Sequence, residues 1–255
     1  MNLIIESVTH IFPGSPPRKA VDGLSFQVET GQFVAIVGPS GCGKSTLLRL
    51  IANLLQPTGG KILLDGLTPA QAASQHRVAW MSQSPALLPW LTARENVALA
   101  LKLTAAGKNG QARGSAAAVL TPEQTLERVG LAEEAGAYPF TLSGGMQQRL
   151  ALARTLSLQS DLWLMDEPFA SLDELTRERL SDELLELWKP QRPTVLWVTH
   201  NLYEALRLAD RILVFTRRPA RLAADLTVDL PRPRDEGSLA FAARLKQLRK
   251  ALEDG

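Results

Sequence analysis

Residues 38–46 have the sequence Gly-Pro-Ser-Gly-Cys-Gly-Lys-Ser-Thr. The apolar residues 33–37 precede it and predict a buried strand, while residues 47–51 follow it with helical spacing. A glycine-rich loop between a strand and a helix is typical of a phosphate-binding loop, because backbone N–H groups at the helix N-terminus surround the phosphate oxygens. The stretch therefore predicts an α/β fold with a phosphate site at this loop.

Side chains within the loop indicate the chemistry. Lys44 supplies a mobile positive charge for the β and γ phosphates, and the Ser45 hydroxyl is placed to coordinate Mg²⁺. No histidine lies near Cys42 in the sequence to activate its thiol, so we interpret Cys42 as a spacer whose backbone N–H matters more than its sulfur. A plain strand-to-helix turn is the alternative, and the complete motif in this context disfavours it.

Composition limits the class of protein. The chain has 255 residues, of which 45% are hydrophobic and 21% charged, as in soluble globular proteins. A net charge of +2 gives no support for binding nucleic acid through bulk charge, and a single cysteine fits a reducing compartment. The N-terminus does not resemble a signal peptide, and no apolar run approaches the ~18 residues of a membrane span. We therefore expect a cytoplasmic chain that does not cross a membrane.

Polar side chains follow several predicted strands. Gln83 comes at the end of a short apolar strand, where its amide could reach a metal ion or the attacking water. Asp166 and Glu167 end the apolar run 162–165, at the strand edge where open α/β sheets place ligands. Since neighbouring strand residues point in opposite directions, we expect Asp166 to bind Mg²⁺ and Glu167 to polarise water. An Asp-Glu-Pro turn without chemistry is the alternative.

His200 follows the last strand of the set in the same way, after residues 194–199. A histidine at a strand end is often structural. Several polar groups at the same sheet edge favour a functional role here.

A second anion site is predicted further along the chain. Ser143, Gly144 and Gly145 open a helix, so a hydroxyl and bare N–H groups meet at its N-terminus. A plain serine cap is the alternative interpretation of this motif.

Other patterns give local predictions. Phe12 could stack on an adenine ring or anchor the core, and His10 and His76 are predicted to face solvent. Residues 105–118 are rich in alanine and glycine and predict a mobile surface loop. The segment 239–252 predicts an amphipathic helix that packs in cis or in trans, with apolar residues Phe241, Leu245, Leu248 and Leu252.

With these residues in hand, the chain resembles the ATPase subunits of ATP-binding cassette (ABC) transporters over nearly its full length. The matching motifs occur in the family's order and spacing: residues 38–45, Gln83, residues 142–147, residues 162–167, residues 171–173 and His200. The chain has Met146 where glutamine is usual and Phe12 where tyrosine is usual. Residues 87–92 and 228–235 look like the nitrate/sulfonate/taurine group of bacterial importers, which also includes carriers of pyrimidine vitamin precursors.

This resemblance implies an α/β fold: a P-loop NTPase (RecA-like) core with an antiparallel β subdomain and an inserted helical subdomain. The implied ABC ATP-binding domain covers residues 1–230, with the helical subdomain at about 84–160. Residues 231–255 would form a short C-terminal tail with an amphipathic helix.

The resemblance also implies a site for ATP and Mg²⁺. The implied nucleotide-binding residues are Gly38, Pro39, Ser40, Gly41, Cys42, Gly43, Lys44, Ser45, Thr46, Phe12, Ser143, Gly144, Gly145 and Asp173. The implied metal ligands are Ser45, Gln83 and Asp166, and the implied catalytic residues are Glu167, His200, Gln83 and Lys44.

The family's partners are implied in the same way. A second copy would pair head-to-tail around two MgATP, a transmembrane permease would bind the pair, and a solute-binding protein would act indirectly, without nucleic acid. The implied location is peripheral, on the cytoplasmic face of the inner membrane. Residues 84–96 would receive a coupling helix of the permease, with Trp90 as an exposed anchor or, alternatively, a core residue. A soluble ABC ATPase that acts on ribosomes or DNA, and an exporter cassette, are the alternative functions.

Overall fold

The computed structural model describes residues 1–107 and 120–254. Its strands are β1 Leu3–Phe12, β2 Arg18–Val28, β3 Phe33–Val37, β4 Gly59–Leu64, β5 Val78–Met81, β6 Leu162–Asp166, β7 Thr194–Val198, β8 Arg211–Phe215 and β9 Leu222–Thr227. Its α-helices are α1 Lys44–Ile51, α2 Pro69–Ser74, α3 Ala93–Gly107, α4 Pro122–Arg128, α5 Gly144–Leu156, α6 Glu174–Gln191, α7 Leu202–Leu208 and α8 Leu239–Glu253, with a short 3₁₀ helix at Pro139–Thr141.

The larger sheet has the strand order β5-β6-β7-β3-β8-β9. Neighbours from β5 to β8 are parallel, and β9 is antiparallel to β8. Strand β3 is buried throughout, and its alternate residues enter two hydrophobic cores, with Phe33 in one and Val34 in the other. A continuous apolar strand therefore separates two packed layers, as expected for a parallel sheet covered on both faces. The parallel strands deliver their carboxyl ends to one edge of the sheet.

The smaller sheet is antiparallel, in the order β2-β1-β4. The Asp65-Gly66 pair predicts a hairpin turn, and the turn is present, since Leu64 and Leu67 exchange backbone hydrogen bonds across it. No second strand follows. The chain instead enters α2, whose Thr68 forms a capping box with Gln71. The Thr-Pro-Ala-Gln sequence of residues 68–71 carries the signal for this helix start.

Helices α3, α4 and α5 follow β5 and precede β6 along the chain. Thr92 caps α3, because its hydroxyl accepts from the Glu95 N–H at 3.3 Å, and Thr121 caps α4 in a capping box with Gln124. The prediction of a loop at residues 105–118 is wrong at its start, since α3 continues to Gly107. The rest of the predicted loop lies outside the described residues.

The C-terminal helix α8 packs in cis. Phe241, Leu245 and Leu248 are buried in the same core as α6 and β6, and Leu252 packs partly against it. The segment before α8 is held by Arg234, which donates to the Ala209 carbonyl oxygen at 2.7 Å. Burial lowers the pKa of Arg234 to about 10.

One histidine prediction is wrong. His10 is buried, and its Nδ1 lies 2.9 Å from the Gln56 carbonyl oxygen, while its ring meets the Phe12 ring edge-on at 4.6 Å between centroids. The burial is explained by the position of His10 on β1, which is the central strand of the smaller sheet and pairs with a neighbour on each side. His76 is exposed, as predicted.

Within the described residues, every helix is too short or too polar to span a bilayer.

We expect Phe241→Ala to lower the free energy of unfolding by about 3–5 kcal/mol, because the ring is fully buried and its loss leaves a cavity. Leu239→Ala is the matched control on the same helix, since Leu239 is 91% exposed and its loss should change little. Urea unfolding monitored by circular dichroism measures both values. Equal stability of the two variants would show that α8 contributes nothing to the core.

Candidate functional site

The phosphate loop joins β3 to α1, and its geometry requires glycine at one position. Gly43 has φ 126° and immediately precedes α1. A Cβ atom on Gly43 would lie 2.5 Å from the carbonyl oxygen of Ala20, which real Cβ atoms do not tolerate. The loop therefore packs directly against β2, so that the first turn of α1 is presented at the edge of the sheet.

The buried side chain of Lys44 is held by its own loop. Its Nζ donates to the carbonyl oxygens of Gly38 at 2.7 Å and Pro39 at 3.0 Å. Cys42 is buried, its sulfur lies 3.9 Å from the Lys44 Nζ, and its backbone N–H donates to Pro39. The Lys44 ammonium group thus lies inside the loop, where it would contact an anion bound there.

The next residue joins two distant parts of the chain. Ser45 Oγ donates to Asp166 Oδ1 at 2.9 Å, linking the first turn of α1 to the end of β6. Burial raises the pKa of the Asp166 carboxyl. The described residues hold no group of three or more histidine, cysteine, aspartate or glutamate side chains suited to a metal ion. A hydroxyl and a carboxylate fit Mg²⁺, which takes few protein ligands and completes its shell with phosphate and water oxygens.

Glu167 is the centre of the arrangement beyond β6. Its Oε2 lies 3.3 Å from Gln83 Nε2 and 3.4 Å from His200 Nδ1, so the structure brings these predicted catalytic side chains together. The backbone at Glu167 has φ 50°, and its N–H donates to the Val198 carbonyl oxygen at 2.9 Å. The prediction that strand alternation separates the two carboxylates is wrong. β6 ends at Asp166, and Glu167 itself has the left-handed backbone conformation, so the chain turns away from the strand at this residue.

The second predicted anion site lies at the N-terminus of α5. Ser143 Oγ accepts from the Met146 N–H at 3.3 Å, which is a helix cap. Gly145 approaches the Ser171 carbonyl oxygen, which would lie 3.3 Å from an added Cβ atom. Within the described residues, no hydrogen bond connects the turn at 143–145 to the phosphate loop of the same chain.

Asp173 caps α6 at the end of the segment that follows Glu167. Its Oδ1 accepts from the Thr176 N–H at 2.9 Å, and this bond lowers the pKa of Asp173.

Sequence reasoning missed two residues that support the site. Gln148 Nε2 donates to the Glu167 carbonyl oxygen at 3.3 Å, and Arg154 Nη1 donates to the Ala86 carbonyl oxygen at 2.8 Å. The signal for Gln148 was its place on the apolar face of α5, where an amide needs a buried partner. Arg154 carried no comparable signal.

Comparison with known proteins identifies the family. The model of the ABC transporter family matches residues 21–170. This chain belongs to the ABC transporter family. It is an ABC ATPase with a P-loop NTPase fold, and the strand order of the larger sheet is consistent with this fold.

The relatives include import proteins. The chain is 42% identical to the nitrate import ATP-binding protein NrtD of Synechococcus elongatus over 91% of this chain and 83% of that protein. It is 41% identical to the bicarbonate transport ATP-binding protein CmpD of the same species over 91% of this chain and 82% of that protein. The predicted resemblance to the importer group that includes nitrate carriers is confirmed.

A solved ABC cassette has the same fold. The dimeric structure of the ABC transporter cassette MJ0796 matches with a TM-score of 0.75 and 30% identity, over 89% of this chain and 98% of that chain. A second dimeric structure of MJ0796, in a post-hydrolysis state bound to ADP and Pi, matches with a TM-score of 0.74.

We expect Gly43→Ala to weaken ATP binding by about tenfold or more, because the added methyl group displaces the loop from Ala20. Gly41→Ala is the matched control. Gly41 also has positive φ, 71°, but an added Cβ meets nothing within 4 Å, so only backbone strain opposes it. Titration with a fluorescent ATP analogue measures both affinities. An affinity for Gly43→Ala equal to or above that of Gly41→Ala would contradict the packing argument.

Proposed function

We propose that this chain is the ATP-hydrolysing subunit of an ABC importer, in which two copies close head-to-tail around two MgATP and act on a separate membrane permease. The observation that carries the proposal is the convergence of Gln83, Glu167 and His200 beside the phosphate loop. Phosphoryl transfer to water depends on positioning and on charge stabilisation, and this cluster supplies groups for both.

Glu167 is the proposed general base. Its carboxylate lies next to Gln83 and His200, and its left-handed backbone fixes it at the end of β6. We assign Gln83 to orient the attacking water and His200, whose side chain is 65% exposed, to contact the γ-phosphate. Lys44 would exchange its bonds to the loop carbonyls for phosphate oxygens. Phe12 is half-buried at the end of β1, and its stacking on adenine stays a prediction.

The proposed Mg²⁺ ligands are Ser45, Asp166 and Gln83. The Ser45–Asp166 hydrogen bond places two hard oxygen ligands side by side. The metal would neutralise charge on the β and γ phosphates, and Asp166 would hold it beside Glu167.

Pairing of two copies would explain why one chain carries two anion sites that no hydrogen bond connects. Ser143 and Gly145 form no described contact with the phosphate loop of their own chain, yet both motifs present N–H groups at a helix N-terminus. One triphosphate bound between Lys44 of one copy and Ser143 of the other would contact both anion sites. The dimeric state of the MJ0796 cassette supports this arrangement.

A permease would dock beside the helical segment. Trp90 is 69% exposed, which excludes the core interpretation of this residue. The proposed docking segment is residues 84–96, which includes Trp90 and would receive a helix of the permease. Such docking would hold the chain peripherally on the cytoplasmic face of the membrane.

For the solute, the relatives support a small ion of the kind that nitrate and bicarbonate represent, within the nitrate/sulfonate/taurine group or its pyrimidine-precursor branch. The solute would bind the permease and a solute-binding protein rather than this chain. Identifying the ligand of a solute-binding protein that copurifies with the complex tests this part of the proposal.

We expect Glu167→Gln to lower kcat for ATP hydrolysis at least about 100-fold while ATP still binds, because the amide keeps the shape of the base but accepts no proton. Glu186→Gln, on the exposed face of α6, is the matched control and should hydrolyse ATP at the wild-type rate. Phosphate release measures hydrolysis, and light scattering should show that MgATP converts Glu167→Gln to a stable dimer. Turnover by Glu167→Gln at the parental rate would contradict the assignment.

We expect Trp90→Asp to reduce binding to the permease at least about tenfold, since a large aromatic anchor is lost from a docking surface. ATP hydrolysis by the isolated chain should stay unchanged because Trp90 lies outside the site. Leu239→Asp places the same charge on α8 at a similarly exposed apolar residue and serves as the control. Co-purification with the permease measures binding. If both variants bind as well as the wild type, the docking surface lies elsewhere.

A further inference from the structure

A buried carboxylate with no role in the proposed chemistry lies directly behind the site. Glu204, in α7, is buried, and its Oε1 accepts a hydrogen bond from the indole N–H of Trp197. Its Oε2 lies 4.0 Å from Arg177 Nε, at the start of α6. Burial of one charged group usually requires a partner, and Arg177 is the cation that faces Glu204.

Arg177 connects this carboxylate to the segment that follows the general base. Its Nη2 donates to the Leu172 carbonyl oxygen at 2.8 Å, one residue before Asp173. Arg177 therefore bridges the turn at 171–173 and the first turn of α7, which follows His200. A guanidinium group can make both contacts at once because its donors are held in a fixed plane.

The bridge adjoins the catalytic cluster. A small cavity of about 20 Å³ is lined by Glu167, Thr199, His200, Arg177 and Glu204, so the bridge and the proposed base border the same cavity. Within the same layer, Phe169 meets the ring of Trp197 at 4.9 Å between centroids. The segment after β6 is thus held against β7 by this aromatic contact and by the backbone bond from Glu167 to Val198, while the ionic contact joins α6 to α7.

We propose that Glu204 is a positioning residue for ATP hydrolysis. Through Arg177 it holds the turn at Leu172 against the first turn of α7, and so keeps the side chains of Glu167 and His200 in position relative to each other. This inference rests on the proposed role of Glu167. Glu204 does not touch the reacting atoms. Its contribution is to the geometry of the groups that do, where a displacement of 1 Å costs about 100-fold in rate.

The position of Glu204 also predicts a pH dependence. Burial raises the pKa of Glu204 to about 7. The charged and titratable groups that face it are Arg177 of α6, Glu167 after β6 and His200 after β7. Above pH 7 the carboxylate attracts Arg177, and below pH 7 the protonated acid does not. The rate should therefore lose the contribution of this bridge as pH falls through about 7.

The test is Glu204→Gln. The amide oxygen still accepts from Trp197, but the charge that holds Arg177 is gone. We expect kcat to fall about 10- to 100-fold, with the Kd for MgATP within about threefold of the wild-type value. The matched control is Asp182→Asn, because Asp182 and Arg207 form a second, exposed ion pair between α6 and α7, at 3.0 Å. This variant should keep the wild-type kcat.

Further readouts separate positioning from simple loss of stability. The wild type should show an inflection in kcat near pH 7 that is absent in Glu204→Gln, and a purely structural role would leave the inflection in place. Arg177→Lys keeps the charge but cannot reach both Glu204 and Leu172, so it should also lower kcat. This second variant decides the question if Glu204→Gln unfolds, since Arg177 is partly exposed.

The outcomes are distinct. An unchanged kcat in Glu204→Gln, or in Arg177→Lys where only the latter folds, would overturn the inference. Glu167→Gln is measured alongside. If Glu167→Gln hydrolyses ATP at the parental rate, the proposed function of the site has failed. If it is inactive while Glu204→Gln is fully active, only the positioning role has failed.

Discussion

The hydrogen bond between Ser45 and Asp166 joins residues that are 121 positions apart, and the rest of the site depends on it. It ties the first turn of α1 to the end of β6, so the phosphate loop is linked directly to the strand end that carries the carboxylates. The parallel order of β5, β6, β7 and β3 makes this possible, because it brings their carboxyl ends to one edge. Cleavage of a phosphoanhydride needs little covalent chemistry from the protein, and a rigid frame for charges and water is what this edge provides.

Much of this edge could be predicted from the sequence, since its signals are local. Residues 38–46 follow a buried strand and precede a helix, and Gln83, Glu167 and His200 each follow an apolar run. Hydrophobic patterning indicates the strands, and parallel strands then bring their ends together. The caps at Thr92 and Thr121 carry signals of the same local kind, because a cap is defined by a few neighbouring residues.

Other features could not be predicted because they depend on tertiary packing. His10 is a polar residue on a central strand, and only the pairing of β1 with both neighbours explains its burial. The left-handed backbone of Glu167 follows from the bond to Val198 on the adjacent strand, which no local pattern shows. The significance of Glu204 comes from its contacts with Trp197 and Arg177, which lie on other elements and which no local pattern shows.

In the proposed dimer, each nucleotide site is shared between two chains, with the phosphate loop from one and the turn at Ser143 from the other. The most direct test mixes two inactive variants, Lys44→Ala and Ser143→Arg. A mixed dimer has one site with an intact Lys44 and an intact Ser143, so hydrolysis should recover to about a quarter of the wild-type rate at equal concentrations. A mixture that stays as inactive as either variant alone would contradict the shared site.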